Sequence, residues 1–158
     1  MSRVIYSLYI DIPEDDLDFF DKNIIKKDQS PTNINTKNQF KEHYSKIIDN
    51  KKRYADNIGV DFHLHENDKD FKYYVKYFKT HFPFITMYNI VNFYKLELMN
   101  NYLVDHDEVL YLDFDAMPVT KDNFFEVWDL SKGIAVYNNN KNIRPTHMPL
   151  DMVRGTIR

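Results

Sequence analysis

The chain has 158 residues, no cysteine and a net charge of -3. This length suits one domain with its own hydrophobic core, so we expect a single domain over residues 1–158. The missing cysteines exclude a disulfide framework and a thiolate metal site. The small net charge gives no general attraction to nucleic acid, and no apolar run reaches the roughly 18 residues of a transmembrane helix. With no signal peptide predicted, we expect a cytoplasmic protein.

The first half of the chain predicts two strands with helices between them. Residues 4–10 are almost wholly apolar, which is typical of a strand covered on both faces, and residues 60–65 alternate as a second strand does. The connection predicts a short helix over 14–27, a loop over 28–38, and an amphipathic helix over 40–57 that ends near Gly59.

The second half repeats this alternation. It predicts a partly helical segment over 68–82 that Pro83 interrupts, a clear helix over 88–103, a third strand over 109–114, a short helix over 123–130, a fourth strand over 133–137 and a loop from 138 onward. Strands that alternate with helices indicate an α/β fold, mostly of parallel strands with flanking helices. Ligands of such sheets bind at the carboxyl ends of the strands.

Asp113 and Asp115 follow the third strand, at such an end. If the strand continues through them, side chains at i and i+2 point to one face, so both carboxylates converge. Two carboxylates form half of a site for a hard divalent cation, which also relieves their mutual repulsion. The alternative is structural, because a single Asp after a strand often caps a helix or makes a turn.

The residues around this pair have simpler expectations. Phe114 should point to the opposite face and pack in the core, Pro118 fits a turn, and Thr120 could cap the next helix.

The preceding helix carries Lys95 in an otherwise apolar stretch, with Asn92 on the same face. A metal at the carboxyl end of a strand commonly binds a diphosphate, and an ammonium group beside it would neutralise phosphate charge. On periodicity alone, a lysine that reaches water along the helix edge is the simpler interpretation. Asn92 could bond a ligand or the backbone.

Other metal and nucleotide motifs are weak or absent from the sequence. His63 and His65 alternate on a strand, and His147 follows downstream, but no pattern completes a histidine site. With three glycines in all, the chain has no glycine-rich phosphate loop. It also lacks a G-x-S-x-G nucleophile elbow, and no catalytic nucleophile is assigned.

Residues 88–130 resemble the D-x-D region of GT-A glycosyltransferases, especially the retaining sugar transferases of families 8 and 32. The likeness covers about a quarter of the chain: a helix with a basic residue in FYKL (93–96), an acidic turn over 105–108, the strand VLYLDFD (109–115) and the aromatic segment over 120–129. It implies a GT-A (Rossmann-like) nucleotide-sugar-binding sheet.

The resemblance also implies a function and a site. The donor would be a UDP- or GDP-sugar, the acceptor a glycan or other hydroxyl group, and the cofactor Mn²⁺ or Mg²⁺. Asp115 would bind the metal, Asp113 the metal or the ribose, and Lys95 the donor. The end of the first strand, near Leu8 and Tyr9, would meet the base.

The family's second half, which supplies the acceptor site and a late histidine ligand, has no counterpart before Arg158. We therefore expect the chain to be a donor-binding half with three possible explanations. It is a fragment, it needs a partner chain, or it has lost activity. Two other interpretations stay open: a phosphatase of the haloacid dehalogenase type, with Asp113 as nucleophile and Asp115 as general acid, and a catalytically silent α/β interaction module.

Overall fold

The computed structural model describes residues 1–27, 31–128, 130, 133–135 and 156–157. These divide into two compact units, residues 1–119 and residues from 120 onward. The expectation of one domain over 1–158 stays a prediction, because this division describes compactness and not independent folding.

The first unit contains three strands and five α-helices within the described residues. In chain order they are β1 (Arg3–Tyr9), α1 (Phe19–Lys27), α2 (Pro31–Glu42), α3 (Tyr44–Ile58), β2 (Asp61–Glu66), α4 (Lys69–His81), α5 (Met87–Asp105) and β3 (Glu108–Tyr111). A single 3-10 turn, Glu14–Asp16, precedes α1. Among the described residues, no helix combines the length and apolar character that crossing a bilayer requires.

The three strands form one parallel sheet in the order β2-β1-β3. The central strand β1 is buried along Val4–Leu8, which explains why its sequence is apolar without alternation. The prediction of an α/β fold with parallel strands and flanking helices is therefore confirmed.

Both faces of the sheet are covered. Tyr6 and Leu8 point to the face that packs on α4 and α5, against residues such as Phe71 and Ile90. Tyr9 points to the opposite face and packs with a second cluster. The buried members of that cluster are Ile47, Ile48 and Phe114. Phe114 lies in the core, as predicted.

The predicted loop over 28–38 is wrong from residue 31 onward, because α2 occupies Pro31–Glu42. Pro31 is the first residue of this helix, a position whose N–H has no helical partner, so proline starts the helix instead of breaking it. The predicted helix over 40–57 comprises the end of α2 and α3, which meet at His43. Gly59 ends α3 with φ +69°, as expected of a left-handed terminal glycine.

The third strand is shorter than predicted. It ends at Tyr111, and a last sheet hydrogen bond joins Leu112 N to Tyr6 O at 3.0 Å. The chain then turns, because Ala116 N donates to Asp113 O at 3.0 Å. Asp113 and Asp115 therefore stand on a turn beyond the strand, and the i, i+2 geometry of a strand does not apply to them.

The described residues of the second unit form short elements. They are α6 (Phe124–Val127), β4 (Ile134–Ala135) and β5 (Thr156–Ile157). β4 falls within the predicted fourth strand but pairs antiparallel with β5, in a sheet of its own. Of the rest of that prediction, Gly133 is a bend, and residues 136–137 lie outside the described residues. Most of the predicted loop from 138 also lies outside them, and its described part, 156–157, is strand.

Thr120 does not cap α6. Its Oγ1 instead accepts from Asp122 N at 3.0 Å, which makes a local turn. Asn123 is the cap, since its Oδ1 accepts from Phe125 N at 3.1 Å. Asn123 stands immediately before the helix, so its amide side chain reaches this N–H. The Thr120 hydroxyl lies three residues earlier and is held by the local turn.

Candidate functional site

The candidate site lies where the strand order of the parallel sheet reverses. The chain runs from β1 to β2 on one side and then crosses to β3 on the other, so a crevice forms beyond the carboxyl ends of β1 and β3. A pocket of about 560 Å³ occupies this position. Leu8 and Tyr9 from β1, Tyr111 from β3, and the turn bearing Asp113 and Asp115 all line it.

Asp113 receives two charged or polar donors on one oxygen. Its Oδ1 accepts from Lys95 Nζ at 2.9 Å and from Tyr111 Oη at 2.6 Å. Burial acts to raise the pKa of Asp113, but the hydrogen bonds from Tyr111 and Lys95 outweigh it and hold this pKa below its usual value. The carboxyl group is therefore ionised at neutral pH, with 58% of its side chain still exposed.

Lys95 lines the pocket, and its side chain is only 26% exposed. It therefore does not extend along the helix edge to water, which was the simpler interpretation of the sequence. Its Nζ lies 5.2 Å from the centre of the Tyr111 ring, within cation–π range. The helix backbone is fixed at this point, because Tyr6 Oη donates to Lys95 O at 2.7 Å. A central-strand tyrosine thus sets the position of Lys95 relative to the sheet.

Asp115 stands at the exposed corner of the same turn and lines the same pocket. Between the two carboxylates, Phe114 turns inward, with its ring centre 4.5 Å from that of Tyr9. The aromatic anchor keeps the turn against the sheet while both acidic side chains stay on the pocket side.

The start of α5 is held by the buried carboxylate of Asp21, which also lines the pocket. Asp21 Oδ1 accepts from Met87 N at 2.6 Å, and its Oδ2 accepts from Lys79 Nζ at 2.9 Å. Thr86 caps the helix, its Oγ1 accepting from Asn89 N. This attachment fixes α5 and hence the direction in which Lys95 projects.

A second lysine–aspartate arrangement also lines the pocket. Lys37 Nζ lies 3.1 Å from Asp11 Oδ1, and Lys41 Nζ lies 2.9 Å from Asp11 Oδ2. Hydrogen bonds from Lys41 lower the pKa of Asp11, although its partial burial opposes this. The pocket therefore has mainly apolar and aromatic walls, with the Asp11–Lys37 and Asp113–Lys95 ion pairs among its lining residues.

Of the six residues that the sequence pointed to, the pocket brings five together: Leu8, Tyr9, Lys95, Asp113 and Asp115. Asn92 is half-buried on α5 one turn before Lys95 and is not part of the pocket wall. The histidines lie elsewhere. His65 Nε2 is 2.8 Å from Tyr102 Oη, burial lowers the pKa of His65, and His147 falls outside the described residues.

Sequence reasoning missed Lys51, which is 0% exposed beneath the acidic turn. Its Nζ donates to Asp113 O at 2.7 Å and also to Ala116 O. Burial lowers the pKa of the ammonium group to about 8, against the attraction of the Asp115 and Asp113 carboxylates. One signal was present, since Lys51 interrupts the apolar face of α3 formed by Ile47, Ile48 and Tyr54.

The chemistry of these side chains fits a hard divalent cation. Both donors to Asp113 bind Oδ1, and Asp115 adds a second, exposed carboxylate. Among the described residues, no group of three or more His, Cys, Asp or Glu side chains forms a closed metal cage. Two carboxylates are nonetheless the usual protein contribution to Mg²⁺ sites, where substrate phosphates and water supply the other ligands.

Comparisons of the chain with protein-family models, with curated proteins and with solved structures found no match in any of the three.

Proposed function

We propose that the chain is the donor-binding domain of a metal-dependent glycosyltransferase of the GT-A type, which binds a nucleoside-diphosphate sugar. The observation that carries the proposal is one pocket that joins apolar and aromatic walls to two carboxylates and an ammonium group, at the reversal point of a parallel sheet. The walls suit a base and a ribose, and the group of Lys95, Asp113 and Asp115 suits a metal-bound diphosphate.

The chain's own residues have distinct roles in this proposal. Asp113 and Asp115 would hold Mn²⁺ or Mg²⁺, which supplies Lewis-acid stabilisation of a departing diphosphate. Lys95 adds a positive charge in the same pocket, and its present partner Asp113 is one that phosphate oxygens can replace. Tyr9 lines the pocket at the end of β1, where it would contact the base.

Titration calorimetry with UDP and with GDP, each with and without MnCl₂, tests the proposal on the full chain. We expect one of the two nucleotides to bind, and to bind more tightly with Mn²⁺. Asp115→Ala should remove the metal-dependent part of the affinity, whereas Asp56→Ala, which removes an exposed carboxylate on α3, should leave it unchanged. The proposal fails if neither nucleotide binds in any condition, or if Asp115→Ala binds as the wild type does.

Lys95→Ala should weaken nucleotide binding by about tenfold or more, since a charge-assisted hydrogen bond contributes about 1.5–3 kcal/mol. Stability should change by about 1 kcal/mol or less, because the Lys95–Asp113 pair is partly exposed to solvent. Lys76→Ala, on an exposed face of α4, is the control. Affinity in Lys95→Ala equal to that of the control would remove Lys95 from the donor site.

The other two interpretations give different results in the same preparation. A phosphatase would hydrolyse p-nitrophenyl phosphate and lose that activity in Asp113→Asn. A silent interaction module would bind neither nucleotide with or without metal.

A further inference from the structure

Lys51 is the least expected side chain of the first unit. It stands on α3 among Ile47, Ile48, Tyr54 and Ala55, which form the buried face of that helix, and it is itself fully buried. Removing an ammonium group from water is costly unless its donors are satisfied, so lysine is rarely found in such a place. A buried lysine therefore indicates that its hydrogen bonds hold a particular part of the chain in place.

The hydrogen bonds of Lys51 close the acidic turn. Its Nζ donates to the carbonyl oxygens of Asp113 and Ala116, the first and fourth residues of the turn. Asp113 O also accepts from Ala116 N at 3.0 Å, so a single carbonyl joins the turn and the ammonium group. Next to Lys51, Asn50 Nδ2 donates to Pro118 O at 3.3 Å and extends the attachment along the same loop.

These contacts act on the carboxylates through the backbone. Asp113 and Asp115 project from the turn into the pocket, while Lys51 grips the carbonyls on its inner side. Phe114, between the two aspartates in sequence, packs in the core but has no polar atom with which to orient the turn. Lys51 supplies those hydrogen bonds. The ammonium group also places a positive charge near Asp113, which helps to lower the pKa of that carboxyl group.

We infer that Lys51 is a positioning residue for the carboxylate pair: its buried ammonium group fixes the 113–116 turn so that Asp113 and Asp115 face the pocket in a defined arrangement. The metal and donor at that pair rest on the proposed function, whereas the restraint on the turn does not. Groups that hold metal ligands in place typically change metal affinity by about 10- to 100-fold when they are removed.

Lys51→Met tests this inference, because methionine fills a similar space without the charge or the donors. The matched control is Lys52→Met, one residue further along α3 and exposed. Hydrogen exchange of the Ala116 amide reports on closure of the turn without any ligand. We expect this exchange to become at least about tenfold faster in Lys51→Met and to stay unchanged in Lys52→Met, with Mn²⁺ affinity in the presence of nucleotide reduced by about tenfold.

Chemical restoration separates the ammonium group from general packing. The chain has no cysteine, so Lys51→Cys can be alkylated at that position alone. Aminoethylation in denaturant, followed by refolding, rebuilds a lysine-like side chain, and propylation gives a neutral group of similar length. We expect the aminoethylated protein to recover slow Ala116 exchange, and the propylated protein to behave as Lys51→Met does.

A measurement on the wild type needs no variant to fold. An ammonium group bonded to two carbonyls in the interior should give a slowly exchanging ¹⁵NH₃⁺ signal near neutral pH, unlike solvent-exposed lysines. Lack of such a signal, or unchanged Ala116 exchange in Lys51→Met, overturns the inference. If the wild type binds no Mn²⁺ with nucleotide, the proposed function fails, and the Ala116 exchange still decides the role of Lys51.

Discussion

At the scale of single residues, the site depends on how one carboxylate is kept ionised beside an apolar pocket. Asp113 follows the end of β3 by two residues, and its partial burial favours its neutral form. Tyr111, two residues earlier, and Lys95, on a neighbouring helix, both donate to it. Tyr111 is the last residue of β3 and is therefore always near Asp113, whereas Lys95 reaches Asp113 only because α5 packs beside the sheet.

Tyr111→Phe removes the local donor and keeps the ring. We expect the pKa of Asp113 to rise toward its ordinary value of 3.8, because burial continues to favour the neutral form while one opposing hydrogen bond is lost. A ¹³C NMR titration of the Asp113 carboxyl carbon measures this change. A titration midpoint equal to that of the wild type would show that the hydroxyl does not stabilise the carboxylate.

The same variant has a consequence for stability. A carboxyl group with a lowered pKa in the folded state stabilises the fold above its unfolded pKa, and this contribution is lost as pH falls through the folded value. Because Tyr111→Phe makes that lowering smaller, the variant should lose less stability than the wild type between neutral pH and pH values below 3.8. Urea unfolding at a series of pH values tests the sign.

At the scale of elements, the positions of α3 and α5 relative to the sheet determine the site. α5 supplies Lys95 and is fixed by Tyr6 and Asp21; α3 supplies Lys51 beneath the turn. α3 has to end sharply before β2, and Gly59 makes that ending in the left-handed region, where an L side chain is strained.

Gly59→Ala isolates this backbone term, because an added Cβ would meet no atom within 4 Å. We expect the free energy of unfolding to fall by about 1–2 kcal/mol, the cost of a left-handed alanine. In Gly59→Asn the free energy of unfolding should fall by less, since asparagine tolerates this conformation better. Urea unfolding compares the three proteins; an alanine variant as stable as the wild type would mean that the helix end adapts without strain.

The sequence predicts helices and strands correctly where hydrophobic periodicity is strong. It does not predict where an element ends when a contact with a distant part of the chain determines that end. The burial of β1 and the long α5 follow from local patterns, and so does the position of Asp113 just beyond the end of a strand. The early end of β3 depends on a turn that Lys51 holds from another helix, so a rule for residues i and i+2 could not anticipate it. α2 was missed because its start, Pro31, also suits a loop.

Lys95 and Lys51 show the same limit at the site. Helical spacing puts both on faces with apolar neighbours, where a lysine commonly extends to water. What turns Lys95 into the pocket is Asp113, 18 positions away, and what retains Lys51 in the interior is a pair of carbonyls more than 60 positions away. Such partners are not visible in a sequence without the fold.

At the scale of the whole molecule, the parallel sheet, both of its packed faces and the complete pocket belong to the unit of residues 1–119. Each of the five predicted site residues in the pocket wall, and Lys51, also lies in this unit. We therefore expect residues 1–119 to fold without the rest of the chain. A segment of this length with its own core is within the usual range of independent domains.

A chain ending at Val119 tests this expectation. It should unfold cooperatively in urea, show a dispersed amide NMR spectrum, and bind nucleotide with Mn²⁺ within about threefold of the full chain, because every group proposed to contact the ligand is retained. A second chain, ending at Tyr111, is the control: it keeps all three strands but lacks Phe114 and the acidic turn, and should bind no metal. Loss of cooperative unfolding in the 1–119 chain would mean that residues beyond Val119 complete its core.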